Sequence, residues 1–206
     1  MRPPQFFMSP DTALAPTADD YLVFNGNADH NEKVAQERWQ AKPSLKDPST
    51  LDLTNVSGVP GGRWGYPTDG ARIPGKGASY QEDFTGVPFG MEINVDGEIR
   101  LDAKSGRQRI YGGVWFDGVQ IAEGGITELL DLKDWQGWPV AGGERWWGTK
   151  IFNEALRQER VAAPAGARAV WIVRDPAKAD LVRKYFAREN FEFEVRVDVR
   201  EDLKNE

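Results

Sequence analysis

The feature that most constrains this fold is the order of elements between Ile126 and Val199. Ile126–Lys133 (ITELLDLK) reads as an apolar strand. Trp146–Arg160 sets Ile151, Phe152, Ala155 and Leu156 at helical spacing. Pro164 and Gly166 end that helix, and Ala167–Val173 (ARAVWIV) follows as a continuous apolar run, the pattern of a strand covered on both faces. Asp175-Pro176 opens a second helix through Glu189, with Leu181, Val182, Tyr185 and Phe186 on one face. Phe191–Val199 (FEFEVRVDV) alternates and reads as a half-exposed strand. Apolar strands joined by helices require right-handed crossovers and a partly parallel sheet. The class this implies is α+β, with a central mixed sheet flanked by helices.

Upstream the pattern is looser. Ser79–Thr85 (SYQEDFT) predicts a short helix, with Ser79 as N-cap, Glu82 as its capping-box partner and Gly86 as the stop. Met91–Val95 and Glu98–Asp102 flank Asp96-Gly97, which predicts a hairpin. Arg109–Val119 predicts a further strand. Residues 1–75 read as an irregular extension, because Pro and Gly punctuate Lys42–Gly77 too closely for long elements. Only Glu32–Gln40 has a helical look there. Tyr21, Phe24, Trp39, Trp64 and Tyr66 predict that the extension packs rather than staying disordered. The expected division is therefore an N-terminal extension over 1–75 and a globular domain over 76–206.

Composition narrows the chemistry. The 206 residues suffice to bury a core. With no cysteine, disulfides and thiolate metal sites are excluded. A single histidine, His30, leaves no room for a His-rich zinc site or a Ser-His-Asp relay. A hydrolase made from this chain must use carboxylates, lysine and a hard metal ion. The start MRPPQFFMSPD lacks the apolar core of a secretory signal, so export would need a dedicated machine or a carrier domain. No stretch approaches the roughly 20 apolar residues of a membrane span. The net charge of −6 argues mildly against a nucleic-acid binder. Between residues 140 and 189, however, ten cations stand against six acids. That segment reads either as two solvated helices or as a basic wall beside an acidic metal site.

Phosphodiester cleavage without His or Cys needs acidic oxygens to hold a hard cation against the phosphate, and a lysine to help generate hydroxide and steady the developing charge. Asp131 and Lys133 are two apart on a strand and share a face, with Leu130 and Leu132 on the other. Asp117 follows Val114-Trp115-Phe116, and a hairpin would bring it beside Asp131. Asp102-Ala103-Lys104 and Asp202-Leu203-Lys204 carry the same spacing. The first lies on a strand with one wet face and the second in a charged tail. Only Asp131 interrupts an apolar run, where a charge is costly without a partner or a metal. Glu82 is a candidate further ligand, against its alternative as a capping glutamate. Trp135, Trp138, Trp146 and Trp147 cluster just beyond, as base-stacking or, more often, packing residues.

Four segments in order resemble a restriction-endonuclease-fold (PD-(D/E)XK) toxin family of bacterial polymorphic toxins. Tyr80-Gln81-Glu82-Asp83-Phe84-Thr85-Gly86 resembles its "YQ…TG" helix. Gly113-Val114-Trp115-Phe116-Asp117-Gly118 resembles its "V-x-F-D-G" strand, and Leu129-Leu130-Asp131-Leu132-Lys133 its "LLEAK". Trp171–Pro176 with Ala179-Asp180 resembles its "W-x-F-x-x-P…AD" segment. The match spans about Ser79 to Val199. It implies a DNA-cleaving endonuclease dependent on Mg²⁺ or Mn²⁺, secreted by a specialised system into a target cell and neutralised by a cognate immunity protein. It further implies that Asp117 and Asp131 bind metal and Lys133 is the catalytic lysine. Two departures stand out. Asp131 replaces the commoner glutamate, and Asp134-Trp135-Gln136-Gly137-Trp138 replaces a glycine-rich stretch. Gln158, Lys150 and Arg157 on the following helix are candidate substrate contacts, although for Gln158 an exposed helical glutamine is the safer reading. Two other readings remain: a non-catalytic binding module on the same fold, and an aromatic-lined carbohydrate-binding domain, which the strand–helix–strand ending disfavours.

Overall fold

The computed structural model describes residues 18–51, 56, 58–102 and 106–199. The packing expected of Tyr21 and Phe24, the Asp202-Leu203-Lys204 run and the Ala103-Lys104 part of its rival lie outside the described residues. In chain order the elements are α1 (Ala18–Ala41), β1 (Gly62–Gly65), α2 (Lys76–Thr85), β2 (Glu92–Val95), β3 (Glu98–Leu101), β4 (Gln108–Tyr111) and β5 (Val114–Phe116). They continue with β6 (Gly118–Ile121), β7 (Thr127–Lys133), α3 (Glu144–Ala162), β8 (Ala167–Val173), α4 (Pro176–Arg188) and β9 (Glu194–Val197). Among the described residues no helix is long and apolar enough to cross a membrane.

The expected mixed sheet is present, in the order β6-β7-β8-β9. β6 and β7 are antiparallel, while β7 with β8 and β8 with β9 are parallel. The crossovers are α3 and α4. Period-two alternation decides which side each residue meets. Trp171 and Val173 point to the helices and pack with Ile151 and Ala155 of α3 and Val182 and Phe186 of α4. Leu130, Val170 and Ile172 point the other way, toward Phe84 of α2. Val170 through Val173 are therefore all buried, which is why that run reads as unbroken in sequence. Each such side chain contributes about 1.5–3 kcal/mol by leaving water. Asp175 caps α4 by accepting from the backbone N–H groups of Ala177 and Lys178, with Pro176 at the first helical position.

Several elements differ from expectation. α2 starts at Lys76 with Gly75 as cap, so Ser79 lies inside the helix, although Gly86 does stop it in the left-handed region at φ 69°. Asp96-Gly97 is a turn but not a hairpin. β2 already has β1 on one edge and β5 on the other, so no edge is left for β3, which pairs with β4 instead. The single strand expected over Arg109–Val119 is three. Gly112 and Gly113, at φ 67° and 66°, turn the chain between β4 and β5, and Asp117 separates β5 from β6. The last strand covers only Glu194–Val197, because Phe191 and Phe193 turn into an aromatic cluster with Phe186.

The segment read as irregular over 1–75 carries α1 and β1. Ala28, Asn31, Ala35 and Arg38 recur at three- and four-residue steps along α1, and Ala28, Asn31 and Ala35 are wholly buried. Two polar members of that face conceal it from a search for apolar periodicity. Ala35, Val56, Val59 and Trp64 share one core with Leu129, Ile93 and Phe116. The described part of the first third is thus packed into the same core as the β-sheet strands.

Candidate active site

Sheet register brings three acids into line. β2 and β5 pair with Ile93 opposite Phe116, so one step further Glu92 comes opposite Asp117. β6 and β7 pair with Gly118 opposite Leu130, so one step further Asp117 comes opposite Asp131. Asp117 is the lone residue between β5 and β6, where the chain passes from one sheet to the other. One of its carboxylate oxygens accepts the backbone N–H of Leu132 at 2.6 Å. The expectation that a hairpin sets Asp117 beside Asp131 therefore matches the register. All three acids line one cleft of about 350 Å³.

Lys133 enters from the same face of β7 as Asp131. Its Nζ donates to Asp131 Oδ2 at 2.7 Å and to Glu154 Oε1 of α3 at 2.7 Å. It also lies 4.8 Å from the ring centroid of Trp171. Gln158, one turn beyond Glu154, is not exposed: it is 2% accessible. Its Nε2 donates to the same Asp131 Oδ2, and its Oε1 accepts from Trp171 Nε1 at 2.6 Å. The alternative of a solvated helical glutamine is thus corrected. The indole N–H and the Asp131 carboxylate, both withdrawn from water, each need a partner, and one amide serves both.

A loop from Pro67 to Gly75 forms another wall. α1 holds it through side chains: Asn31 Nδ2 donates to the carbonyls of Pro67 and Gly70 at 2.7 and 2.8 Å, and Asn31 Oδ1 accepts from Arg72 N at 2.6 Å. His30 Nε2 sits 3.0 Å from the Arg72 carbonyl. So fixed, Arg72 makes a two-pronged pair with Glu92, at 2.6 and 3.0 Å. The one histidine therefore serves the loop rather than the chemistry.

Of the residues singled out in sequence, Asp117, Asp131, Lys133, Arg157 and Gln158 line the cleft. Glu82 does not. It is 1% accessible, paired through both oxygens with Arg38 of α1, and accepts from Phe89 N at 3.2 Å. It is neither a capping-box partner nor a ligand in the cleft, since its side chain turns toward α1. Lys150 is exposed on α3, outside the cleft, with Nζ 5.3 Å from the Trp138 ring. Among the tryptophans, Trp147 is buried against Tyr185, whereas Trp135 packs on Trp171 at 5.7 Å and Trp146 is largely exposed. The segment counted as a basic wall is partly spent on ion pairs: Arg168 with Glu128 and Glu194, Arg174 with Asp134, Arg183 with Asp180.

Sequence reasoning missed Glu92, Glu154 and Arg72. Glu92 falls on the polar side of the alternating stretch Met91–Val95, which in sequence reads as the wet face of a strand. Glu154 and Gln158 continue the buried stripe of Ile151 and Ala155 at helical steps. Nothing in sequence marks Arg72, which reaches the cleft only because α1 holds its loop.

The site is electrostatically unbalanced. Asp69, Glu92, Asp117, Asp131, Asp134 and Glu154 line it, against Arg72, Lys133 and Arg157. Burial, reinforced by Asp131 and Glu92, holds the Asp117 carboxyl well above the usual carboxylate range, against the Leu132 N–H and Lys133. Burial also raises Asp131, which Glu154 assists and Lys133 and Gln158 oppose. For Lys133, burial works against the charge, but Asp131 and Glu154 outweigh it and keep the ammonium above its ordinary value. Among the described residues no group of three or more acidic or histidine side chains is placed to hold a metal ion. The donor set is nonetheless oxygen only, and the excess of carboxylates fits a hard divalent cation, which carboxylates share with waters and substrate oxygens. No family model, curated protein or solved structure matches the chain.

Proposed function

We propose that this chain is a divalent-metal-dependent phosphodiester hydrolase, an endonuclease acting on DNA as an antibacterial toxin domain. What carries the reading is that Asp117 and Asp131 face one another across β6 and β7 with Lys133 hydrogen-bonded to Asp131 in the same cleft. Four ordered sequence segments resembling the restriction-endonuclease-fold toxins support the substrate class, the cognate immunity protein and delivery into a target cell.

Asp117 and Asp131 are the residues that would hold Mg²⁺ or Mn²⁺, both oxygens of Glu92 being taken by Arg72. Such an ion polarises the phosphoryl oxygen and lowers the pKa of a bound water. The chain's own groups do the rest. Asp131 Oδ2 is occupied by Lys133 and Gln158, so Oδ1 is the oxygen left for an ion. Lys133, held as a cation, donates to the charge that develops on the phosphate rather than taking a proton. Glu154 fixes the direction of its Nζ. Arg157 at the cleft edge and Lys150 further along α3 suit the flanking phosphates, which supply much of the affinity for nucleic acid. The test is calorimetric titration with Mn²⁺. Saturable binding by wild type, lost in Asp117→Ala, is expected; equal binding by both proteins refutes the assignment.

A further inference from the structure

One wall of the cleft carries an unanswered donor. Gln81 of α2 is 4% accessible, and its Nε2 is buried with no hydrogen-bond partner. It lines the same cleft as Asp117, Asp131 and Lys133. Buried amides without partners are costly, so an orphan of this kind at a concave site points to an acceptor that arrives with the ligand. The groups around it do not supply one. The Gln81 backbone carbonyl accepts from Thr85 Oγ1 at 2.8 Å within α2, and the neighbouring Glu82 carboxylate turns away to Arg38.

Arg72, on the Pro67–Gly75 loop that also lines the cleft, adds the charge that an amide lacks. Its Nε and Nη2 are taken by Glu92, and Nη2 lies 3.5 Å from Asp69. Its Nη1 is not part of that pair. The guanidinium is held in position by the Asn31 bonds to its loop, so little side-chain freedom is lost when an anion docks.

We infer that Gln81 and Arg72 form an anion subsite that receives nonbridging oxygens of the substrate phosphate. Gln81 Nε2 donates one hydrogen bond and Arg72 Nη1 another, within the cleft that Lys133 also lines. The inference rests on the phosphodiesterase reading for the identity of its anion. It implies that Gln81 is kept at a cost to stability for the sake of binding.

The test uses the whole chain and inorganic phosphate as probe, titrated in Mg²⁺ buffer and followed by tryptophan fluorescence, since Trp115 lines the cleft. Gln81→Met removes the donor at similar volume, and Arg72→Gln removes the charge. The subsite predicts saturable phosphate binding by wild type, weakened at least tenfold in each variant. Gln81→Met should also melt no lower than wild type, because an orphan donor has gone. In a cleavage assay it should raise KM more than it lowers kcat. Wild-type affinity in Gln81→Met overturns the subsite, as does the absence of phosphate binding by wild type. If Gln81→Met loses phosphate while Asp117→Ala binds both Mg²⁺ and phosphate normally, the subsite stands and the metal assignment falls.

Discussion

Gln158 offers the sharpest test of how the site is held together. Replacing it with leucine keeps the volume of the buried side chain but removes both of its polar contacts. Asp131 loses a donor, and hydrogen bonds to charged groups are worth about 1.5–3 kcal/mol. Trp171 Nε1, on a side chain that is 0% accessible, loses its acceptor, and an unsatisfied buried donor costs about 1–3 kcal/mol. Lys133 still bonds Asp131, which softens the first loss. The sum is then about 2–5 kcal/mol, against a total stability of about 5–15 kcal/mol for a typical domain. At roughly 2–4 °C per kcal/mol for a chain of this size, the midpoint should fall by about 10 °C. Urea unfolding followed by tryptophan fluorescence and circular dichroism measures it directly. Gln158→Glu is the companion variant. It keeps an acceptor for Trp171 but sets a second carboxylate against Asp131, so it should lose more stability at pH 8 than at pH 5. A Gln158→Leu protein within about 1 kcal/mol of wild type would refute the bridge and its role in orienting Asp131.

Two further outcomes follow from the charges. Asp117 has its folded pKa raised, chiefly by burial, so ionising it costs stability once the pH exceeds its unfolded value of 3.8. Asp117→Asn should therefore raise the melting temperature at pH 7–8, and the gain should vanish below about pH 4, where the acid is protonated in both states. A gain that persists unchanged at pH 3 contradicts that cause. Glu82→Ala removes one partner of the pair with Arg38 and should cost about 3 kcal/mol in urea unfolding. It should leave Mn²⁺ affinity intact, whereas loss of metal binding in a folded Glu82→Ala protein would return Glu82 to the site.

How much of this could be read from sequence depends on where each contact comes from. β7, β8, α3 and α4 were legible because their periodicity is local and their burial uniform. Asp131 was legible because a charge interrupts an apolar strand. Asp117 was legible only through the assumption of a hairpin, and the true path, three strands hinged at Gly112-Gly113 and at Asp117 itself, was not. Glu92 was hidden because Met91–Val95 alternates like a half-wet strand, and because the hairpin expected with Glu98–Asp102 concealed the neighbour that gives it meaning. The Asp96-Gly97 turn is real; which strands pair around it is decided by the occupied edges of β2, a tertiary matter. Glu82 was misassigned because its partner, Arg38, lies on a helix whose inward face includes the buried Asn31 and the half-buried Arg38 and so shows no unbroken apolar stripe. Arg72 reaches the cleft through Asn31, forty-one residues earlier in the chain.

The central claim is that the cleft around Asp117, Asp131 and Lys133 hydrolyses phosphodiesters with a divalent ion. Conversion of supercoiled plasmid to nicked and linear forms by the purified chain in Mg²⁺ tests it most directly, with Lys133→Ala alongside. The expected result is cleavage by wild type that EDTA abolishes and that Lys133→Ala slows by about a hundredfold or more, the scale of losing one charge-stabilising donor. Equal behaviour of wild type and Lys133→Ala, whether both cleave or neither does, contradicts it.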